Sequence, residues 1–370
     1  MDEAERLAEG GAVERFVVDG PPGTGKTTTI LRSLEPGVPV ATYTRAAAQE
    51  VRQRGGVAGT IYSLTWPHAQ HYSKTQGRSG RESVAYQTRP IYNSADPALE
   101  RYEAEAPSLK PRSDWEGTAM ALHDWDGQGE PPFDLDRLPP VGPLRYVLPL
   151  ARWLADGAPL ATPPYEEAII DEAQDISAIE YAGMRACVSR KLTSYGDPGQ
   201  AIFIESKGTS LTALPAVWRD KGATHRQLVG GWRVGDPVAS MAARILAPYW
   251  DRSADTFAAE HPTEVLVWDH RLAPARGLVL GHSRFSVGAA LREWGLANTP
   301  VVSGVDAPLR LSSIHGAKGA EADDVFLLPW PNKQRPAVLR KEPWTLKLLY
   351  VAMTRARKRL HVPMSLMGML

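Results

Sequence analysis

The sequence predicts an α/β protein made of two units with parallel sheets, the first of which carries a mainly helical insertion. Three observations support this prediction. A glycine-rich loop follows a short apolar strand near the start of the chain, a second apolar strand runs into acids over Glu167–Asp175, and a further series of strands follows Gln227. Strands that alternate with helices after such a loop need crossover connections, which indicates parallel sheets.

The loop Gly20–Thr27 fills every position of the pattern G-x-x-x-x-G-K-[ST]. Arg15–Asp19 precedes it as a predicted buried strand, and Thr27–Leu34 follows as a helix. Glycines let successive N–H groups turn towards phosphate oxygens at a helix N-terminus, where the helix dipole favours negative charge. Lys26 is expected to reach the β- and γ-phosphates and Thr27 to bind Mg²⁺. The predicted nucleotide-binding residues are Gly20, Pro21, Pro22, Gly23, Thr24, Gly25, Lys26, Thr27 and Thr28.

Composition limits the possible functions. A chain of 370 residues is long enough for two or three domains. Its formal net charge is +0, so any binding to nucleic acid must come from locally placed residues. The single cysteine, Cys187, excludes an internal disulfide and is expected to be buried packing. Met1–Glu14 has no apolar targeting segment, and no long apolar run occurs, which predicts a soluble, cytoplasmic protein without a membrane partner.

The first sheet is predicted to continue after the loop. Val38–Tyr43 is read as a strand, Thr44–Val51 as a helix, and Gly59–Leu64 as the edge of a third strand. From 65 to 164 the character changes to polar helical stretches, a proline-rich loop and a helix over Leu144–Asp156. This segment is interpreted as an insertion. Its aromatic residues either form the core of a small subdomain or stack on bases.

Two acids follow the strand Glu167–Ile170 directly. Strand ends deliver side chains to the crevice beside a phosphate loop, so Asp171 is expected to hold Mg²⁺ and Glu172 to orient and deprotonate a water molecule. The alternative is a solvated acidic turn. The strand Lys191–Tyr195 ends similarly in a polar cluster, Gly196–Gln200.

A second α/β unit is predicted after Gln227, without a phosphate loop of its own. Val287–Leu296 is read as an amphipathic helix. The predicted strands are Val265–Asp269, Gly277–Gly281, Val301–Val302, Leu309–Ile314, Val325–Leu328 and Leu360–Val362. This unit contains two arginines in short distinctive segments, Arg233 in Gly231–Arg233 and Arg355 in Met353–Arg355.

Several short motifs occur in a fixed order along the chain. Besides the phosphate loop they are Thr42–Ala47, Thr60–Ser63, Asp171–Asp175, Gly196–Phe203, Gly231–Arg233, Ser313–Glu321 and Tyr350–Ala356. In this order they resemble the motifs of the UvrD/Rep-type superfamily 1 (SF1A) DNA helicases, over nearly the whole chain except the insertion. The resemblance implies two RecA-like P-loop NTPase domains, with domain 1 at 1–64 and 165–222, the inserted subdomain at 65–164, and domain 2 at 223–370.

The resemblance also implies roles for individual residues. Catalysis would involve Lys26, Glu172, Gln200, Arg233 and Arg355, with Gln200 sensing the γ-phosphate and the two arginines acting as fingers on it. The alternative for either arginine is a surface ion pair. Trp232 would stack on adenine, and Gly319 and Glu321 would line the nucleotide site, Glu321 at the ribose. The resemblance places nucleic acid on Tyr43, Thr60, Ser63, Phe203, Ser313 and His315.

The chain departs from the family pattern at three places. Met1–Asp19 contains no glutamine for the usual adenine-reading motif, which leaves the choice between ATP and other nucleotides open. Ile204–Ser206 stands where the family often has Trp-Arg. Ser303–Pro308 is short where larger relatives insert a subdomain, so a minimal form without that insertion is expected.

The function expected from the resemblance is an ATP-dependent, Mg²⁺-requiring translocase on single-stranded DNA that unwinds partial duplexes, with 3′-to-5′ polarity. One alternative is a translocase that displaces proteins and needs a partner to unwind DNA. Another is a nucleotide-gated regulatory module that binds nucleic acid. RNA remains an alternative polymer, because stacking and phosphate contacts do not read the sugar.

Overall fold

The computed structural model describes residues 13–42, 45–53, 55–75, 114–138, 144–203, 214–247, 259–296, 308–330 and 343–368. Contacts divide the chain into two compact units. The first comprises Met1–Asp19, Lys26–Gly196 and Phe203–Gln227, and the second comprises Gly20–Gly25, Asp197–Ile202 and Leu228–Leu370. The loop Gly20–Gly25 therefore groups with the second unit, whereas the helix that follows it groups with the first.

The sheet of the first unit confirms the predicted α/β class. Its strands are β1 (Glu14–Asp19), β2 (Pro39–Thr42), β3 (Val57–Thr60), β4 (Tyr165–Ile170), β5 (Val188–Gly196) and β6 (Thr224–Gln227). They form one six-stranded sheet in the order β3-β2-β4-β5-β1-β6. Each neighbouring pair is parallel. The carboxyl ends of these strands therefore lie at one edge, where α/β proteins bind their ligands.

The helices of the first unit alternate with these strands. They are α1 (Lys26–Ser33), α2 (Arg45–Gln53), α3 (Ile61–Thr75), α4 (Asp114–Asp124), α5 (Leu144–Ala155) and α6 (Ala178–Ala186). One prediction was wrong here. Ile61–Leu64 belongs to α3, not to a strand edge. Ile61, Ala69 and Tyr72 are buried at helical spacing, so the packed face of the segment has a helical period although its first residues are typical of a strand.

The described residues of the predicted insertion share their core with the rest of the first unit. The buried cluster around α4 and α5 includes Leu122, Trp125 and Trp153, and it also takes in Ile179 of α6 and Cys187 just after it. Cys187 is buried, as predicted. Tyr72 and Trp125 also lie in this core. The limits of the inserted subdomain at 65–164 remain a proposal.

A buried polar network joins α4 to the start of α6. Ser177 precedes α6 and forms a capping box with Glu180. The Ser177 amide donates to Glu180 Oε2 at 2.9 Å, and His123 Nδ1 of α4 lies 3.0 Å from the Ser177 hydroxyl. All three residues are buried, so each polar group that loses water finds a protein partner. The position of α4 is thereby fixed against the segment that follows the β4 acids.

The second unit contains a separate parallel sheet. Its strands are β7 (Glu264–Trp268), β8 (Gly277–Gly281), β9 (Leu309–Ser313), β10 (Ala322–Leu327) and β11 (Ala356–Pro363). They pair in parallel in the order β7-β11-β10-β8-β9. The accompanying helices are α7 (Val238–Leu246), α8 (Arg284–Glu293), α9 (Pro343–Met353) and α10 (Met364–Met367).

The helix predicted over Val287–Leu296 starts earlier and ends earlier in the structure. Ser283 caps α8, because its side chain accepts a hydrogen bond from the Ser286 amide. The strand predicted at Val301–Val302 and residues 303–307 of the short connection Ser303–Pro308 lie outside the described residues. No helix in the described parts of the chain is long and apolar enough to cross a membrane.

Candidate active site

The first group of predicted site residues lies at the carboxyl edge of the first sheet. Lys26 and Thr27 begin α1, and Asp171 follows β4 directly. The Asp171 amide donates to the Ala41 carbonyl oxygen at 2.9 Å, which continues the β2–β4 pairing to the acid itself. The Thr27 hydroxyl donates to Asp171 Oδ2 at 3.4 Å. The two predicted magnesium ligands are thus neighbours, and their oxygen donors suit a hard divalent cation.

Asp171 lies in surroundings that disfavour the ionised form of its carboxyl group. It is only 4% exposed. Its pKa is raised to about 7, chiefly by burial and then by the charge of Glu172, against the lowering effect of Lys26. Positive charge near Asp171 favours its ionised form. The site is therefore suited to a bound cation, and the alternative of a solvated acidic turn does not describe Asp171.

Glu172 is positioned by its own backbone and by one glutamine. It has a left-handed conformation, with φ 58° and ψ 41°. Its amide donates to Asp171 Oδ1 at 2.9 Å. The buried Gln174 amide donates to Glu172 Oε2. The Glu172 carboxylate is therefore oriented before any ligand arrives.

Gly196 at the end of β5 leaves the space that Gln174 occupies. A Cβ atom added there would meet Gln174 Oε1 and would lie 2.6 Å from the Trp218 ring. Real Cβ atoms do not approach other atoms that closely, so this position needs glycine. Gly196 and Gln174 lie in two separate motifs, and no local pattern indicates that one makes room for the other.

The phosphate loop Gly20–Gly25 belongs to the second unit and contacts residues of that unit. Gly23 and Gly25 have φ values of 83° and 75°, which L side chains rarely adopt. The Trp232 amide donates to the Gly23 carbonyl oxygen at 3.1 Å. A Cβ atom on Gly23 would lie 2.6 Å from Arg233 Cβ. The structure thus brings the loop together with Trp232 and Arg233.

Gln200 and Arg355 form a buried pair in the second unit. Arg355 Nη2 donates to Gln200 Oε1 at 3.0 Å, and Arg355 Nε donates to the Val351 carbonyl oxygen at 3.0 Å. Arg355 is 1% exposed, so the alternative of a surface ion pair does not apply to it. The Gln200 amide in turn donates to Asp197 Oδ2 at 3.0 Å.

Two motif residues without a predicted role complete this arrangement. Tyr350 donates its hydroxyl to Asp197 Oδ2 at 2.8 Å, and both residues are fully buried. Lys318 Nζ donates to the Gln200 carbonyl oxygen at 3.1 Å. Both lie inside quoted motifs, and only the fold shows that they hold Gln200.

Arg233 and Glu321 are also brought together. Arg233 Nε donates to Glu321 Oε2 at 2.7 Å, and Arg357 Nη1 contacts the other oxygen at 3.4 Å. The Arg233 guanidinium lies 5.4 Å from the centre of the Trp232 ring, which is 52% exposed. Glu321 therefore pairs with an expected arginine finger here. Gly319 has a left-handed backbone, with φ 84°.

The predicted nucleic-acid residues are described only in part. The Ser63 hydroxyl donates to the Thr60 carbonyl oxygen at 2.7 Å where β3 meets α3. Ser313 ends β9, and His315 Nε2 lies 3.1 Å from the Ile202 carbonyl oxygen. Tyr43 lies outside the described residues. Phe203 is half-buried and belongs to the first unit.

Two parallel sheets with a phosphate loop and a carboxylate at a neighbouring strand end define the class of P-loop nucleotide-binding proteins. Residues 298–366 match the family model of the UvrD-like helicase C-terminal domain. This part of the chain is therefore similar to UvrD-like helicase C-terminal domains, in agreement with the resemblance to UvrD/Rep-type superfamily 1 helicases. No curated protein was found to match the chain.

Solved helicase structures are similar to nearly the whole chain. Arterivirus nonstructural protein 10, a helicase, is 16% identical with a TM-score of 0.45, and the match covers 99% of this chain and 63% of that one. The PRRSV helicase is 16% identical with a TM-score of 0.47, covering 98% and 54%. The arterivirus protein in complex with DNA is 16% identical with a TM-score of 0.44, covering 97% and 62%. The chain thus spans between about half and two thirds of the length of these helicases.

Proposed function

We propose that this chain is an ATP-dependent, 3′-to-5′ translocase on single-stranded DNA that unwinds partial duplexes. The observation that supports it most directly is the buried hydrogen bond between Gln200 and Arg355. A buried arginine that hydrogen bonds hold beside a glutamine is a fixed cation, which is suited to stabilise a transferring phosphoryl group. A nucleotide-gated binding module has no need of such a pair.

The remaining residues supply the other parts of phosphoryl transfer. Lys26 binds the β- and γ-phosphates, and Thr27 and Asp171 hold Mg²⁺, which neutralises charge on the phosphate oxygens. Glu172, oriented by Gln174, accepts the proton of the attacking water. Arg233 and Arg355 stabilise the charge of the transition state. Trp232 stacks on the base, and Gly319 and Glu321 lie at the sugar.

The site is proposed to use ATP, and the polymer is proposed to bind over Tyr43, Thr60, Ser63, Phe203, Ser313 and His315. Coupling of hydrolysis to movement requires the nucleotide and polymer residues to respond to each other. His315 contacts the carbonyl of Ile202, close in sequence to Gln200. This contact supports such coupling within the second unit.

The test is steady-state hydrolysis of ATP and of GTP, without polymer, with single-stranded DNA and with RNA. Wild type is compared with Glu172→Gln and with a matched control, Glu166→Gln, whose carboxylate is exposed at the start of the same strand. We expect stimulation by DNA and a loss of about 10² to 10⁴ in Glu172→Gln only. A rate that no polymer changes would refute the motor and direct the search to a protein partner. A stimulated enzyme would next be assayed for strand displacement on 3′- and 5′-tailed duplexes.

A further inference from the structure

The strand β7 presents an apolar edge in the second unit. It lies at one end of the second sheet and pairs with β11 on one side. Four of its five residues are apolar, Val265–Trp268, and the side chains of Leu266 and Val267 are 38% and 53% exposed. Two further exposed apolar side chains adjoin it, Leu272 four residues beyond its end and Met364 directly after β11. Four of the eight large apolar side chains that the structure describes as exposed therefore lie on or beside this strand.

The other sheet edges contain features that discourage pairing, and β7 lacks them. β6 is polar and exposed at every residue. β9 contains Arg310, and β3 is a four-residue strand that includes Gly59. Charged residues and short strands keep sheet edges from pairing with other chains. The only charged residue of β7 is Glu264 at its start, so the segment Val265–Trp268 contains no charge that would repel a second strand.

The backbone groups of two valines in β7 point away from the sheet. The Thr263 amide, just before β7, donates to the Asp236 carbonyl oxygen at 2.8 Å, and because β11 occupies one side of the strand, this bond lies on the other. Backbone groups point alternately to the two sides of a strand, so those of Val265 and Val267 also point outward. Outside the pairing with β11, neither valine makes a backbone hydrogen bond among the residues that the structure describes. Both are therefore open to a further strand.

The sequence of β7 is complementary to itself in the antiparallel direction. A two-fold axis through Leu266 sets Val265 opposite Val267 of the partner subunit, and Leu266 opposite its own copy. In this register the outward backbone groups of the valines face each other, so each valine pair exchanges both of its hydrogen bonds. Apolar side chains then meet on both faces of the joined sheet. Glu264 lies opposite Trp268 of the partner subunit, so no like charges meet.

The charge of the chain and the size of this edge fit a weak contact with a second copy. The formal net charge is +0, so two copies do not repel each other at long range. A standard stable interface buries about 800 Å² per partner. A strand of five residues buries less, so we expect a dimer with a Kd on the order of 10 to 100 µM. Self-pairing should therefore be reversible and should depend on protein concentration.

We propose that β7 is a homodimer interface, through which two copies of the chain join their second sheets by antiparallel pairing of Glu264–Trp268. The order of strands continues from one copy into the other across the Leu266 pair. The dimer removes an exposed apolar edge from solvent. The inference goes beyond the proposed function, because neither nucleotide hydrolysis nor nucleic acid is needed to form this contact.

Sedimentation velocity of the full chain, at protein concentrations from about 1 to 200 µM, tests whether the dimer forms. Wild type should shift reversibly from monomer to dimer. Val267→Lys should raise the Kd about tenfold or more, because the two lysines would lie diagonally across the axis. Val267→Pro removes an outward N–H and no bond to β11, and should also weaken the dimer. The matched control is Val57→Lys, since Val57 is 54% exposed at the start of the edge strand β3, and it should dimerise like wild type. Thermal melts would verify that each variant is folded.

Cysteine cross-linking tests the register. Leu266→Cys places a thiol opposite its own copy at a pair that shares no hydrogen bonds, where the Cβ atoms lie about 4.5 Å apart and a disulfide can span them. With oxidised glutathione as the oxidant, this variant should form covalent dimers about tenfold faster than Val57→Cys or Glu264→Cys, neither of which faces its own copy. The native Cys187 is buried and should not react.

The dimer is refuted if wild type stays monomeric up to about 200 µM, or if Leu266→Cys cross-links no faster than Val57→Cys. A dimer that Val267→Lys and Val267→Pro both leave unchanged would lie elsewhere on the molecule and would also refute the proposal. A monomeric wild type that binds a labelled valine–threonine peptide would make β7 an edge for strands of other proteins, which excludes self-pairing. None of these results depends on ATP hydrolysis, so failure of the motor and failure of the dimer are distinguishable.

Discussion

In the first unit two carboxylates, Asp171 and Glu172, lie side by side after one strand, whereas in the second unit one guanidinium, Arg355, is enclosed by neutral oxygens. Burial, and then the charge of Glu172, raise the pKa of Asp171 to about 7. Arg355 instead donates hydrogen bonds to the Val351 carbonyl oxygen and to the side-chain oxygen of Gln200. A bound cation would therefore stabilise the ionised form of Asp171. Hydrogen bonds already stabilise the buried Arg355, which can still attract an anion. The free-energy cost of burying a charge is thus offset by a ligand at Asp171 and by protein groups at Arg355.

The largest expected effect would come from removing the guanidinium group of Arg355. Arg355→Ala should lower the rate of ATP hydrolysis by about 10³ or more, because it removes a finger that stabilises transition-state charge. Steady-state kinetics with a thermal melt would measure it, and Arg355→Lys would show whether charge alone suffices. The control is Arg359→Ala, which breaks an ion pair between Arg359 of β11 and Asp324 of β10. This variant should hydrolyse ATP within about twofold of wild type.

A smaller effect is expected from removing the hydrogen bond that orients the Glu172 carboxylate. Gln174→Leu removes the amide that orients Glu172, and should lower kcat by about 10²-fold with little change in KM, since misplacement of a reacting group acts on the chemical step. The control is Gln128→Leu, at an exposed glutamine. An unchanged kcat in Gln174→Leu would show that Glu172 is positioned by other means.

The support of the Gln200 pair can be probed through stability. Tyr350→Phe deletes a buried hydrogen bond to Asp197 and should lower the free energy of unfolding by about 1.5 to 3 kcal/mol. Urea denaturation would measure the change. Tyr165→Phe is the matched control, because the Tyr165 hydroxyl donates no hydrogen bond among the residues that the structure describes. Equal losses in the two variants would contradict a specific role for the Tyr350 hydroxyl.

The smallest effect concerns pH. Asp171 has a folded pKa of about 7, above the unfolded value near 3.8, so the folded state holds its proton more tightly. Its charge therefore destabilises the fold progressively as pH rises from about 4 through 7. In the presence of EDTA, Asp171→Asn should be more stable than wild type at pH 8, by on the order of 1 kcal/mol, and equally stable at pH 4. A gain that is the same at both pH values would locate its cause elsewhere.

Much of the fold was predictable because its signals are local. The predicted limits of Gly277–Gly281 agree with β8, and the strand before the phosphate loop starts one residue earlier than expected. The helices Val238–Leu246 and Pro343–Met353 were not predicted. Pro343–Met353 is apolar around much of its circumference and buried, so it lacks the polar face that indicates a helix in a sequence. Val238–Leu246 has such a face in the exposed Ser240 and Arg244, but the helix is only nine residues long, so its pattern is brief. β6 is an exposed edge strand of polar residues and carries no alternating pattern.

The site residues were predictable where a motif contains them, and their partners were not. Asp171 and Thr27 were assigned to one metal from the sequence, and the structure places their oxygens 3.4 Å apart. The space that Gly196 leaves for Gln174 depends on how two strands end, which no local pattern encodes. The sequence predicts no role for Trp330 and Trp344, and only the fold brings the centres of their rings to 5.0 and 5.6 Å from that of His282.

The core that the proposed insertion shares with α6 couples the two segments. A segment inserted into a loop can be deleted without harm only if its side chains pack among themselves. Here Ile179 and Cys187 of the host fold lie in the same cluster as Leu122 and Trp153, and His123 approaches Ser177 beyond the acids. Excision would leave an apolar surface and an altered polar network on the catalytic side of the host. The proposed insertion is therefore coupled to the stability of the first unit, and shortening it would require compensating changes in α6.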